Sequence, residues 1–200
     1  MLEPLRPLYN ATLRPAARFC EKIGIHPNHV TIVGLLFFIG SGILSASNSW
    51  HYALTCGVIG SLMDGLDGVL ARESGKKSRF GAILDSSCDR LTEMAVLGGL
   101  LYFFQQSIEF KQFGPILCYG VVCTSVMVSY VKARCEGVGI ACSRGLLQRP
   151  ERLLLLGFGL FFGPRVMVWM LTVMLIFGAI TVFQRFFEAA ANCRKAGLEK

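Results

Sequence analysis

The sequence predicts an all-α integral membrane protein: six transmembrane helices preceded by an N-terminal amphipathic interfacial helix. Three observations predict it. The 200 residues are 53% hydrophobic and only 16% charged, with a mean hydropathy of +0.53, more apolar and less charged than a soluble domain. The apolar residues gather into runs near the roughly 20 residues that cross a bilayer. Lysine and arginine stand mostly between those runs. A net charge of +7 distributed this way reads as topology signals and anionic-lipid contacts, not as a nucleic-acid surface.

Residues 1–26 open with Glu3 and three prolines before any long apolar run, so no cleavable signal peptide is expected. Tyr9, Leu13, Ala16, Cys20 and Ile23 follow helical spacing, with Arg14, Arg18, Glu21 and Lys22 elsewhere on the wheel. That pattern suits a helix in the membrane interface, also able to pack on a bundle, kinked or restarted at Pro15. Pro27-Asn28-His29-Val30-Thr31 opens the first span, with Asn28 as a candidate cap and an apolar part reaching about Ser47. Asn48 to His51 form a short turn in which Trp50 suits the interface.

The second span covers about 52–71 and is followed by a polar loop, 72–80, with Arg72, Lys76, Lys77 and Arg79. The third covers about 81–104 and the fourth about 114–130. A loop with Arg144 and Arg149 leads to a short fifth span over about 150–162. Gly163-Pro164 turns the chain into the sixth, about 166–183. One membrane domain is expected: an interfacial segment over 1–26, a six-helix bundle over 27–185 and a cytoplasmic tail over 186–200.

The basic residues predict orientation. The N-terminal segment holds four, the 72–80 loop four, the 132–152 region five and the C-terminal part four, against Lys111 and Arg165 in the intervening turns. The positive-inside rule places both termini in the cytoplasm of a multi-pass cell-membrane protein. The eight cysteines show no C-x-x-C pair. They read as small core hydrophobes rather than disulfides or a zinc site.

Four aspartates interrupt this apolar sequence. Asp64 and Asp67 are three residues apart, and Asp85 and Asp89 four, so each pair shares a helix face. Two such helices facing each other would converge four carboxylates. Acids inside a membrane span are functional by default. Repulsion among them demands a cation or protonation, and an all-oxygen set suits Mg²⁺ or Mn²⁺.

Asp64, Asp67, Gly68, Ala71, Arg72, Gly81, Asp85 and Asp89 spell D-x-x-D-G-x-x-A-R, eight residues, then G-x-x-x-D-x-x-x-D. This resembles the signature of the CDP-alcohol phosphotransferase (CDP-alcohol phosphatidyltransferase) family of phospholipid-synthesising membrane enzymes. All eight positions match without a gap. The resemblance implies a CDP-lipid donor, a homodimer and a diphosphate held by two Mg²⁺ or Mn²⁺ ions. Asp64, Asp67 and Asp85 are then the main metal ligands. Asp89, one turn deeper, is the general base and a further candidate ligand. The nucleotide would meet Asn28, His29, Val30 and Thr31 of the P-N-x-x-T turn, together with Gly68, Ala71, Arg72, Ser78 and Gly81.

Lys132, Arg134, Arg152 and Arg185 stand at the expected cytoplasmic ends of spans four, five and six. They form a candidate pocket for a phosphorylated acceptor. Ser129 to Arg134, Gln148 to Arg152 and Thr181 to Arg185 resemble phosphatidylinositol phosphate synthases, which implies inositol 1-phosphate as acceptor. Phosphatidylglycerophosphate synthesis from glycerol 3-phosphate is the alternative within the family. A divalent-cation transporter is the alternative outside it; it would need no Ala71-Arg72 pair and no basic loop.

Overall fold

A computed structural model describes residues 6–195; expectations falling on residues 1–5 and 196–200, including the ends of the N-terminal segment and of the tail, lie outside the described residues. The described residues are all-helical, with seven helices: α1 (Arg6–Lys22), α2 (Pro27–Ala46), α3 (Trp50–Glu73), α4 (Arg79–Gln106), α5 (Gly114–Gly137), α6 (Arg149–Phe162) and α7 (Pro164–Lys195). α2, α3, α5 and α7 are long and apolar enough to cross a membrane. α4 has the length, at 28 residues, but carries Asp85, Asp89, Arg90 and Glu93 along it. α6 has 14 residues, about 21 Å at 1.5 Å per residue, which is shorter than the usual membrane-spanning helix.

Several boundaries differ from the sequence expectation. Pro15 sits inside α1 and does not end it. Asn28 is not the cap of α2. Pro27 takes the first helical position, where a missing N–H costs nothing, so the cap falls on His26, whose Nδ1 accepts from the Asn28 amide at 3.3 Å. The loop after α3 shrinks to residues 74–78, because helix runs through Glu73 and restarts at Arg79. α7 passes the expected end of the last span and stays helical to Lys195, so residues 186–195 extend the helix. All eight cysteines are free thiols; Cys88, Cys118, Cys135 and Cys142 are buried as expected, whereas Cys123 is exposed.

The chain divides into two compact units, residues 1–103 and 104–200. In the first, α2 packs along α3 through small residues. A methyl on Gly34 would stand 3.2 Å from Met63 Cβ, and one on Gly60 2.8 Å from the Phe38 ring. Ser41 Oγ donates to the Ala53 carbonyl at 2.7 Å. α4 meets α2 backbone to backbone: a methyl on Gly99 would strike the Gly42 main chain, and one on Gly42 the Ala95 carbonyl. α1 lies on α3. Leu13 and Ala17 join Val30, Leu66, Val69 and Leu70 in one buried cluster, with Cys20 against it. The inward face of α1 thus runs through Ala17 rather than the exposed Ala16.

In the second unit, α5 and α7 approach where Gly178 faces Thr124 and Gly120 faces Leu175. Gly163, with φ of +94°, closes α6 and turns the chain into α7, a conformation that favours glycine. The polar end of α7 holds the preceding loop. Thr181 Oγ1 accepts from the Leu147 amide at 3.1 Å, Gln184 Oε1 from Leu146 at 3.2 Å and Glu188 Oε2 from Arg144 at 2.9 Å. Asn192 Nδ2 donates to the Ala141 carbonyl at 2.8 Å. These positions recur every three or four residues, so one helix face satisfies a loop that has no secondary structure of its own.

Candidate active site

The end of α3 and the start of α4 carry the aspartate pairs. Carboxylate oxygens of Asp64, Asp85 and Asp89 all lie within 4.8 Å of one another. The helical spacings thus converge three of the four acids. The fourth, Asp67, is buried, and its Oδ2 accepts a hydrogen bond from Thr31 Oγ1 of α2, itself buried. α2 therefore orients Asp67 with a neutral hydroxyl.

Beside these acids lies a cleft of about 310 Å³, walled by the ends of α2, α3 and α4 and the loop between the last two. Asn28, Thr31, Asp67, Gly68, Ala71, Arg72, Ser78, Gly81 and Asp85 line it, as do Lys76 and Lys77 of the basic loop. Nearly all of the nucleotide positions expected from the sequence are brought together here. His29 and Val30 are not. Successive helical residues differ by about 100°, so Asn28 and Thr31 share the cleft face while Val30 turns into the buried cluster and His29 to the exterior.

Local hydrogen bonding explains the shape of the wall. Ser78 Oγ accepts from the Gly81 amide at 2.9 Å, capping the start of α4. A methyl on Gly81 would lie 3.0 Å from Ser78 Oγ and 3.3 Å from Asn28 Oδ1, so glycine leaves the floor open at this point. Arg72 folds back along α3, its Nη1 3.4 Å from where a methyl on Gly68 would stand.

Two participants in this region carried no sequence signal. Tyr9 of α1 seats its ring on Gly65, where a methyl would collide with it, and its hydroxyl donates to the Ser61 carbonyl at 3.2 Å. Burial, then the nearby Asp64 and Asp67 charges, raise the Tyr9 pKa, so the phenol stays a proton donor at neutral pH. Asn10 Oδ1 accepts from Arg72 Nη2 at 3.2 Å. Tyr9 reads from sequence only as an amphipathic-face residue, and Asn10 as nothing more than a polar position.

The four expected acceptor residues fall in the second unit and divide by environment. Lys132 and Arg134 are exposed on α5, with Lys132 3.8 Å from Glu136. Arg152 and Arg185 are buried, at 3% and 5% exposure, so their donors are directed inward. Arg152 Nη1 donates to the Leu147 carbonyl at 3.4 Å. Arg185 Nε donates to the Arg144 carbonyl at 3.0 Å and Nη1 to that of Val128. Arg185 therefore fastens α5 and the 138–148 loop to α7 with part of its five-donor fork.

The donor set fits a hard divalent cation: three carboxylates converge, and no sulfur or imidazole belongs to the group. Cationic side chains line the adjoining cleft, which favours an anionic ligand beside the metal.

Comparisons with known proteins agree with this geometry. Residues 24–183 match the CDP-alcohol phosphatidyltransferase family. A phosphatidylinositol phosphate synthase of Mycobacterium marinum is 35% identical over 161 residues, covering 75% of this chain and 64% of that protein. The chain thus spans just under two thirds of the length of that relative. One from Corynebacterium glutamicum is 33% identical over 192 residues, covering 90% and 84%. The crystal structure of a Mycobacterium tuberculosis phosphatidylinositol phosphate synthase with CDP-DAG bound superposes with a TM-score of 0.82 at 30% identity, covering 88% of this chain and 92% of that one. A second structure of that synthase, in complex with manganese and citrate, gives 0.81 with 88% of each chain covered. With the signature aspartates converged beside a basic cleft and the family match spanning most of its length, this chain belongs to the CDP-alcohol phosphatidyltransferase family.

Proposed function

We propose that this chain transfers the phosphatidyl group of CDP-diacylglycerol to inositol 1-phosphate, giving phosphatidylinositol phosphate and CMP. The observation that carries the reading is the convergence of Asp64, Asp85 and Asp89 beside the Asn28–Arg72–Gly81 cleft. The names of the relatives support the choice of acceptor.

Asp64, Asp67 and Asp85, with Asp89 as a further ligand, would hold divalent cations, Mg²⁺ or Mn²⁺, two per site. When bound, these ions neutralise the charge of the diphosphate and orient it for in-line displacement. Gly68 and Gly81 let the nucleotide approach the backbone closely, and Arg72, Lys76 and Lys77 face its phosphates. Asp89 accepts the proton of the acceptor hydroxyl. That oxygen bonds to the lipid-proximal phosphorus, the bond to the CMP oxygen breaks, and CMP leaves with the electron pair. Arg152, Lys132, Arg134 and the uncommitted donors of Arg185 bind the phosphate of the acceptor.

In this reading the chain is one membrane domain. α2 to α7 are its six transmembrane helices, α1 lies in the interface as an amphipathic helix, and the site and both termini face the cytoplasm. Charge placement supports the orientation. Two copies form a homodimer.

Purified protein is incubated with CDP-diacylglycerol, Mg²⁺ and one acceptor at a time, and CMP release is measured. Release with inositol 1-phosphate but not glycerol 3-phosphate is expected. The reverse would make this a phosphatidylglycerophosphate synthase. Metal flux in liposomes without CMP release would refute the transferase reading.

A further inference from the structure

Next to the cleft, though not lining it, stands an acid whose charge opposes an anionic ligand. Glu73 follows Arg72 directly at the end of α3. Successive helical side chains diverge, but left uncompensated a carboxylate this close would still compete for the Arg72 guanidinium and repel a diphosphate through space. α1 counters both effects. Arg14 Nε lies 3.4 Å from Glu73 Oε1, and Arg18 Nε lies 3.9 Å from Glu73 Oε2. One turn earlier on the same helix, Asn10 Oδ1 takes one amino group of Arg72. Arg72 lines the cleft and lies folded over Gly68. α1 is itself fixed to α3 by Leu13 and Ala17 in the buried cluster and by Tyr9 on Gly65. The three polar contacts thus have a rigid base.

We propose that α1 is part of the nucleotide site: Asn10 sets the guanidinium of Arg72 towards the diphosphate, and Arg14 with Arg18 neutralises Glu73 so that it neither captures Arg72 nor repels the ligand. Asn10, Arg14 and Arg18 are positioning residues that act through Arg72. The inference rests on the nucleotide reading of the cleft.

The test measures CDP affinity of the purified full chain by titration calorimetry with Mn²⁺ present, alongside thermal unfolding. Arg14→Gln with Arg18→Gln should weaken CDP binding about fivefold, the order expected for a partly exposed charge contact. Adding Glu73→Gln to that pair should restore affinity, because the uncompensated acid is then gone. Asn10→Leu should weaken CDP about threefold to fivefold with the melting temperature unchanged. Weakening that Glu73→Gln fails to restore would make the arginines mere fasteners of α1 and overturn the inference. Unaltered CDP affinity in the paired variant would overturn it as well. If the wild-type chain binds no CDP, the nucleotide reading falls and takes this inference with it; CDP binding with insensitive variants would sink the inference alone.

Discussion

Replacing Thr31 with valine keeps the shape of the side chain and removes the hydroxyl that donates to Asp67. Both residues are buried, at 7% and 5% exposure, so water cannot readily replace the lost donor. A hydrogen bond to a carboxylate contributes about 1.5–3 kcal/mol, which corresponds to roughly 10–150-fold in an equilibrium constant. Losing an outer hydrogen bond to a metal ligand typically costs about 10–100-fold in metal affinity or activity. Thr31→Val should therefore raise the Mn²⁺ concentration for half-maximal CMP release by about 10–100-fold. The rate at saturating Mn²⁺ should fall much less, since Asp89 and the other residues lining the cleft are unchanged and valine keeps the shape of the wall. Thr31→Ser, which keeps the hydroxyl, should behave nearly as wild type. An unchanged Mn²⁺ requirement in Thr31→Val would refute the idea that α2 orients a metal ligand through this bond.

Asp89→Asn should abolish turnover while CDP binding persists; turnover within tenfold of wild type would remove Asp89 from the base role. Ser78→Ala should lower stability by about 1 kcal/mol, the usual value of a lost N-cap, seen as a small fall in melting temperature together with a higher KM for the CDP-lipid. Arg185→Lys keeps the charge but not the fork, and strips donors from the Val128 and Arg144 carbonyls. It should cost about 1–3 kcal/mol of stability and raise the acceptor KM. A higher acceptor KM with full thermal stability would mean the two carbonyl bonds contribute nothing. Gly99→Ala should cost at least about 1–3 kcal/mol, because backbone rather than a movable side chain blocks the added methyl. Thermal unfolding measures it, and wild-type stability would disprove the close approach.

Much of the site is written locally, and that part was legible. Spacings of three and four residues place Asp64, Asp85 and Asp89 on helix faces without knowledge of the rest of the chain, and Gly68, Arg72 and Gly81 follow in register. What depends on side chains meeting across helices was not. Asn10 and Arg72 are 62 residues apart, and no periodicity relates them. The cap of α2 stands two residues before Asn28 because Pro27 takes the first helical position. Arg152 and Arg185 read from sequence as members of a pocket for the phosphate of an acceptor, with nothing to show what else they touch. Both are buried and donate to the carbonyls of Leu147, Arg144 and Val128, contacts visible only once the loop is laid along α7. The helical state of residues 186–195 is hidden for the same reason: nothing in their sequence shows the loop partners that the end of α7 meets.

The meeting of Gly42 and Gly99 bears on how far this site can be re-engineered. Where two main chains touch, no choice of rotamer can alter their separation, and α2 and α4 extend from that point to Asn28 and Gly81 at the rim of the cleft. The aperture for the nucleotide is thus gauged by backbone rather than by side-chain bulk. A library seeking a donor with a larger base should vary residues 28 and 78, which can yield, and leave the two glycines alone. Widening the bundle at its glycine joint would shift the rim and the aspartates together, and so would trade substrate range against the chemistry itself.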